Sequence, residues 1–180
     1  MKSIGSKFPE FNMKGVVKAP SGEDEIVDIS SPSVAGKWFV VFYYPKDFTF
    51  VCPTEIKGFA DLYGEFKDRE TEVFAASVDS EFVHKAWKNS HADLKNVPFP
   101  MLADVNRKLA SSLGILIEEE GVAYRATFVV DPDGVIRHVS ANDLGVGRNP
   151  KEILRILDAL QTDELCPCNW QKGDDNIKVK

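Results

Sequence analysis

From Lys37 to Tyr44 the chain reads KWFVVFYY, apolar and aromatic without alternation, the pattern of a strand buried on both faces. Pro45, Asp47 and Pro53 interrupt that run. From Thr54 to Arg69 the apolar residues Ile56, Phe59, Ala60, Tyr63 and Phe66 fall at helical spacing, with Pro53 suited to the first helical position. Glu72 to Val78 (EVFAASV) is again strand-like, and Asp79-Ser80-Glu81 caps a helix carrying Phe82, Val83, Ala86 and Trp87. Val105 to Leu113 predicts a short helix ended by Gly114. Ala126 to Val130 and Val135 to Val139 predict a hairpin about the turn Asp131-Pro132-Asp133-Gly134, where Gly134 can supply positive φ. Asn149-Pro150-Lys151-Glu152 opens the last helix as cap, proline and capping-box glutamate, with Ile153, Leu154, Ile156, Leu157 and Leu160 as its buried stripe. Residues 1–35 read as loops and short strands. Strands alternating with helices, then a hairpin and a closing helix, predict an α/β fold with a mixed sheet.

Composition narrows the class. No repeat or linker divides the chain, and we expect one domain over residues 1–160 followed by a tail, 161–180, without hydrophobic periodicity. A hydrophobic share of 43% and a charged share of 28% exclude disorder as a whole-chain reading. The net charge of −6 argues against nucleic acid and anionic membrane surfaces as partners. The longest apolar run, Trp38 to Tyr44, is far short of the ~20 residues that cross a bilayer. No apolar stretch follows the N-terminal lysine as in a secretory signal. Three cysteines are a poor disulfide framework, so the expectation is a reducing compartment, the cytoplasm, where thiols do chemistry.

Cys52 falls between the buried strand and the helix that follows. There a sulfur faces unsatisfied backbone N–H groups and the positive end of a helix dipole, which favours the reactive thiolate. The alternative is a small buried hydrophobe. Thr49, three residues earlier, occupies the place where a dithiol would have its first cysteine. Its hydroxyl can donate to a thiolate or to an oxygen bound beside it, or it is an ordinary turn residue.

The stretch FYYPKDFTFVCPTE, residues 42–55, sets Pro45, Thr49 and Cys52 at P-x-x-x-T-x-x-C spacing. Val78-Asp79-Ser80, Tyr124-Arg125-Ala126-Thr127-Phe128, Gly147-Arg148 and Leu165-Cys166-Pro167 extend the match. Together these resemble the peroxiredoxin family, in its AhpC-type, two-cysteine branch. The resemblance implies a thioredoxin-like fold with an N-terminal extension and a C-terminal tail. It implies a thiol peroxidase acting on hydrogen peroxide, organic hydroperoxides and peroxynitrite, with no metal or other cofactor. Cys52 would be the peroxidatic cysteine, oxidised to a sulfenic acid. Pro45 would shield the pocket, Thr49 hydrogen-bond the peroxide, and Arg125 hold thiolate and peroxide oxygens. Glu55 and Arg148 match supporting positions, with solvated surface charge as the alternative for either alone.

By the same resemblance Cys166 is the resolving cysteine, closing a disulfide with Cys52 across a dimer. Cys168 departs from the commonest pattern. The Cys-Pro-Cys arrangement is similar to AhpC proteins recycled by the dithiol protein AhpD, so Cys168 serves resolution or onward exchange, or is a spare thiol. The implied partners are a protein reductant (AhpD-like, a flavoprotein like AhpF, or thioredoxin) and further copies of the chain, a homodimer built into a ring of five or six dimers. Phe42, Tyr43 and Phe48 are candidates for those interfaces. Cys166 and Cys168 lack zinc-site spacing, and His84 and His91 do not repair it. His84 and Trp87 read as packing or rim residues, and His138 carries no signal. No Gly-Gly-Leu-Gly insertion or C-terminal Tyr-Phe pair is present, which resembles the type resistant to overoxidation. Two other classes compete, a thiol–disulfide oxidoreductase using Cys166 and Cys168, and a redox-regulated holdase that needs no Cys52.

Overall fold

A computed structural model describes residues 1–179. Seven strands form one mixed sheet in the order β2-β1-β5-β4-β3-β8-β9. They are β1 (Asn12–Lys18), β2 (Asp24–Ser30), β3 (Trp38–Tyr43), β4 (Thr71–Ser77), β5 (Met101–Ala103), β8 (Arg125–Val130) and β9 (Ile136–Asn142). β3, β4 and β5 run parallel, and every other pairing in the sheet is antiparallel. A small separate hairpin joins β6 (Leu116–Ile117) to β7 (Val122–Ala123).

The central strand behaves as its composition requires. Alternate residues of β3 face opposite cores: Phe39, Val41 and Tyr43 join one apolar cluster, Val40 and Phe42 the other. The second cluster is covered by α1 (Cys52–Asp61), α2 (Tyr63–Lys67), α3 (Glu81–Ser90) and α5 (Pro150–Gln161). The first takes Leu109, Ala110 and Leu113 from α4 (Lys108–Leu113). Each large side chain wholly buried there contributes about 1.5–3 kcal/mol. None of these helices is long and apolar enough to cross a membrane.

Several boundaries differ from the pattern reading. The helix expected over 54–69 begins at Cys52, because Val51 already has helical dihedrals, and Pro53 is its second residue. It is also two helices. Leu62 leaves helical geometry (φ −102°, ψ 4°) and its N–H tightens onto the Phe59 carbonyl, two residues before Gly64, a weak helix former. α4 starts at Lys108 rather than Val105, since Arg107 is left-handed and the Asp104 carboxylate caps the N–H groups of Leu109 and Ala110. Gly114 ends it at φ +68°, as expected.

The short strands expected within residues 1–35 pair as the β1–β2 hairpin, and β5 is a sheet strand that the pattern does not predict. Gly15 lies inside β1, where a Cβ would stand 2.6 Å from Ile29 Cδ1. It marks close packing, which local pattern does not distinguish from a turn. Gln161 closes α5 rather than opening the tail. The tail folds back, with a Leu165–Ile177 bridge and Trp170 buried.

Candidate active site

The site forms where the carboxyl end of β3 leads through residues 44–51 into α1. Cys52 is the first residue of that helix and its side chain is wholly buried. Arg125 opens β8, the antiparallel neighbour of β3, and reaches across to donate from Nη1 to Cys52 Sγ at 3.3 Å. The same nitrogen donates to Glu55 Oε2 at 2.6 Å, while Arg125 Nε donates to the Leu144 carbonyl at 2.8 Å. Glu55 lies one helical turn beyond Cys52, so α1 itself presents sulfur and carboxylate on one face.

Arg148 completes the chain of charges. Its backbone N–H and Nε both donate to Glu55 Oε1, at 2.9 and 2.8 Å, and Nη2 donates to Oε2 at 3.0 Å. Nη1 donates to the Ala126 carbonyl at 2.9 Å and lies 3.3 Å from Thr127 Oγ1. The guanidinium lies over the Phe42 ring, 5.2 Å from its centroid, and that ring stacks in turn on Phe59. Asn142 Nδ2 ties down the carbonyls of Val146 and Gly147 just ahead of it. Side-chain exposure is 4% for Arg125, 3% for Arg148 and 1% for Glu55, which removes the surface-charge reading of both supporting residues.

Burial alone would push the Glu55 carboxyl up. The bonds and charges of Arg148 and Arg125 outweigh it and hold Glu55 below the usual carboxylate range. Burial also works against the charge on Arg125, but the Cys52 sulfur and Glu55 together carry it above its ordinary value. For Arg148, desolvation prevails over Glu55 and lowers it. Two guanidinium groups and one carboxylate leave the cluster one positive charge in excess beside the sulfur. An anion at that sulfur neutralises it.

The structure brings Cys52, Glu55, Arg125 and Arg148 together and holds Pro45 buried in the loop above. Thr49 makes the contact of a turn residue, the alternative that its sequence left open. Its hydroxyl donates to the Lys46 carbonyl at 2.9 Å, so its proton is committed and its oxygen is left as an acceptor. Phe42 and Tyr43 are fully buried and so are not interface residues; the exposed aromatics among the described residues are Phe48, Phe50, Phe82 and Tyr124. Cys166 lies in the tail, its sulfur 3.5 Å from Thr162 Oγ1 and near the Ala159 and Glu164 carbonyls and Asn176 Oδ1. Cys168 is exposed, and all three cysteines are free thiols.

A second polar cluster fixes the loop and was not anticipated. His84 is buried with Nδ1 2.7 Å from Asp47 Oδ2 and Nε2 3.1 Å from the Leu102 carbonyl oxygen. The Tyr44 hydroxyl donates to Asp47 Oδ1 at 2.8 Å, and the Asp47 N–H donates to Asp79 Oδ2 at 2.9 Å. Burial lifts the Asp47 carboxyl above its usual range, against the pull of His84. His84 is therefore a loop anchor in the interior, not a rim residue. The signal available in sequence was a histidine on the apolar face of α3, which needs a partner when buried.

The sequence profile of the AhpC/TSA family matches residues 4–139. Over 98% of its length the chain is 48% identical to alkyl hydroperoxide reductase C of Mycolicibacterium smegmatis, covering 94% of that protein. It is 47% identical to peroxiredoxin-2 of Bos taurus, over 97% of this chain and 89% of that one. The reduced 2-Cys peroxiredoxin of Plasmodium vivax superposes with a TM-score of 0.91 at 32% identity, over 99% of this chain and 94% of that one. The thioredoxin-like α/β fold, the cysteine held by an arginine at a helix start and these likenesses agree, and the chain belongs to the AhpC/TSA family as a peroxiredoxin, a thiol peroxidase of antioxidant function.

Proposed function

We propose that Cys52 is the peroxidatic nucleophile and that Cys166 of a partner subunit resolves it. The Cys52 thiolate attacks the terminal oxygen of a hydroperoxide: an S–O bond forms, the O–O bond breaks, and the leaving alkoxide or hydroxide takes up a proton as alcohol or water. Cysteine is oxidised to sulfenic acid and the peroxide is reduced. Arg125 faces the charge that develops across the breaking bond, pre-oriented by Glu55 and the Leu144 carbonyl, so little reorganisation is required as the reaction proceeds. Thr49 Oγ1 would accept from the peroxide O–H. Hydrogen peroxide, organic hydroperoxides and peroxynitrite are the substrates we assign to it. The observation that carries this reading is the 3.3 Å contact of Arg125 Nη1 with Cys52 Sγ, made by a nitrogen that Glu55 also holds.

In the second step a Cys166 thiol displaces the sulfenic oxygen as water and leaves a Cys52–Cys166 disulfide, which a dithiol protein reductant (AhpD-like, AhpF-like or thioredoxin) reduces. Exposed Cys168, one residue beyond Pro167, is positioned in sequence to pass electrons inward. Edge strand β9 and the exposed aromatics Phe48, Phe50 and Phe82 support a homodimer assembled into a ring of five or six dimers, working in the cytoplasm. The test is one equivalent of hydrogen peroxide added to the reduced protein and to Cys52→Ser, Cys166→Ser and Cys168→Ser, with product masses followed in time. All but Cys52→Ser should consume it rapidly, and Cys166→Ser should stall as sulfenic acid or divert to Cys168. Consumption by Cys52→Ser at the parent rate sinks the assignment.

A further inference from the structure

Five residues other than glycine hold positive φ among the described residues: Phe48 (55°), Glu70 (51°), Arg107 (57°), Asp163 (55°) and Asn169 (59°). The left-handed region crowds Cβ against backbone, a penalty that Asp and Asn offset through short polar side chains and that a phenylalanine does not. The two flanking the tail cysteines, Asp163 and Asn169, are therefore the tolerant kind. The one beside Cys52 is not.

What forces Phe48 into this geometry is its neighbour. Asp47 is fixed through its N–H by Asp79 and through its carboxylate by Tyr44 and His84. On the other side the Thr49 hydroxyl closes onto the Lys46 carbonyl. Phe48 keeps 58% of its surface exposed, and its ring rests on Trp87 with centroids 5.9 Å apart. Strained backbone of this sort persists only where its surroundings over-determine it. Here the surroundings are a clamp at Asp47 and the helix start at Cys52. When residues 48–52 unwind, the clamp no longer dictates φ at Phe48 and the penalty disappears. The strain thus belongs to the closed state alone.

Resolution requires such an unwinding. The Cys52 sulfur is wholly buried against Arg125, while the Cys166 sulfur touches only its own tail segment and the end of α5. A bond between them demands that Cys52 leave. We propose that Phe48 is a positioning residue of the peroxidase cycle, its clamped left-handed backbone destabilising the closed loop so that oxidised Cys52 is released for attack by Cys166. The reaction released is the one already written, with the S–S bond forming, the S–O bond breaking and water leaving. This inference rests on Cys166 being the resolving thiol, and the experiment separates the two.

Phe48→Ala, Phe48→Asn and Phe48→Gly, in the full chain, all lose the ring and with it the Trp87 contact and part of the exposed aromatic patch. They differ in backbone. Alanine keeps the left-handed penalty, asparagine tolerates that region, and glycine is free in it but also gains freedom on opening. The first readout is amide exchange from Thr49 to Glu55 in the reduced protein without peroxide. Phe48→Ala should open about fivefold more than Phe48→Asn, with Phe48→Gly between them. The second is product mass after peroxide, where Phe48→Ala should form the Cys52–Cys166 disulfide fastest and accumulate the least Cys52 sulfinic acid in excess peroxide. Equal exchange in the alanine and asparagine variants, or faster exchange with asparagine, overturns the role of strain. The exchange order holding while no variant forms a Cys52–Cys166 disulfide overturns Cys166 as the resolving thiol instead.

Discussion

The pocket of Cys52 and the tail of Cys166 hold two thiols in opposite ways. Around Cys52, three charged side chains from α1, β8 and the loop before α5 are each less than 5% exposed and share a continuous set of hydrogen bonds. Around Cys166, contacts are long and made mainly to oxygen acceptors, and the tail is fastened by buried Trp170, whose Nε1 donates to the Asp174 carbonyl and whose own carbonyl accepts from Arg155. A site that must stabilise developing charge benefits from groups that do not move. A thiol with the resolving role proposed for Cys166 benefits from a segment whose opening costs little. The difference separates bond making from reach.

The largest effect should come from loosening the rigid side. Arg125→Met removes the donor at the sulfur and leaves Glu55 held by Arg148. The peroxide step, followed by stopped flow, should slow about a hundredfold. A slowing of less than threefold would mean that the pocket does not owe its chemistry to this contact.

Glu55→Gln attacks the same network through stability. It leaves two buried guanidinium groups without their carboxylate, a change that should cost about 3 kcal/mol near neutral pH, read by urea unfolding. Because Glu55 is held below the usual carboxylate range in the folded state, its contribution is present above the unfolded-state value near 4.3 and fades as pH falls through the lower, folded value. The gap between parent and variant should therefore narrow on acidification. A gap that widens in acid would contradict the ion network.

The smallest global effect belongs to the tail. Trp170→Ala should shift overall unfolding by less than about 1 kcal/mol, yet raise local opening of residues 165–177 about a hundredfold, since the buried ring is the tail's main anchor. Limited proteolysis set beside thermal unfolding reads both. If overall stability fell by the full cost of burying a tryptophan, the tail would be part of the core and the contrast would fail.

Much of the pocket was legible because it is local in sequence. Pro45, Thr49, Cys52 and Glu55 lie within one strand-to-helix connection, and an arginine in a strand of buried residues announced its need for a partner. The choice between the two readings of the Thr49 hydroxyl was not legible, because the Lys46 carbonyl turns toward it only once the loop has folded. The His84–Asp47 anchor joins residues on α3 and the β3–α1 loop, and its pairing is set by how those elements stack. The place of Gly15 is tertiary in the same way, since what excludes a Cβ there is Ile29 on the neighbouring strand.

By itself the sequence determined the alternation of strands and helices around β3, that β3 is buried on both faces, and that a cysteine stands at a helix start with hydroxyl and carboxylate at fixed offsets. Those are properties of periodicity and of residue chemistry over a few neighbours. Only the tertiary structure decided that Arg125, Arg148 and Glu55 form one buried network at that sulfur, that Phe48 is held left-handed by a clamped neighbour, and that the tail closes over Cys166. Each depends on atoms far apart in the chain being brought within hydrogen-bond distance, and local propensity carries no record of such distances.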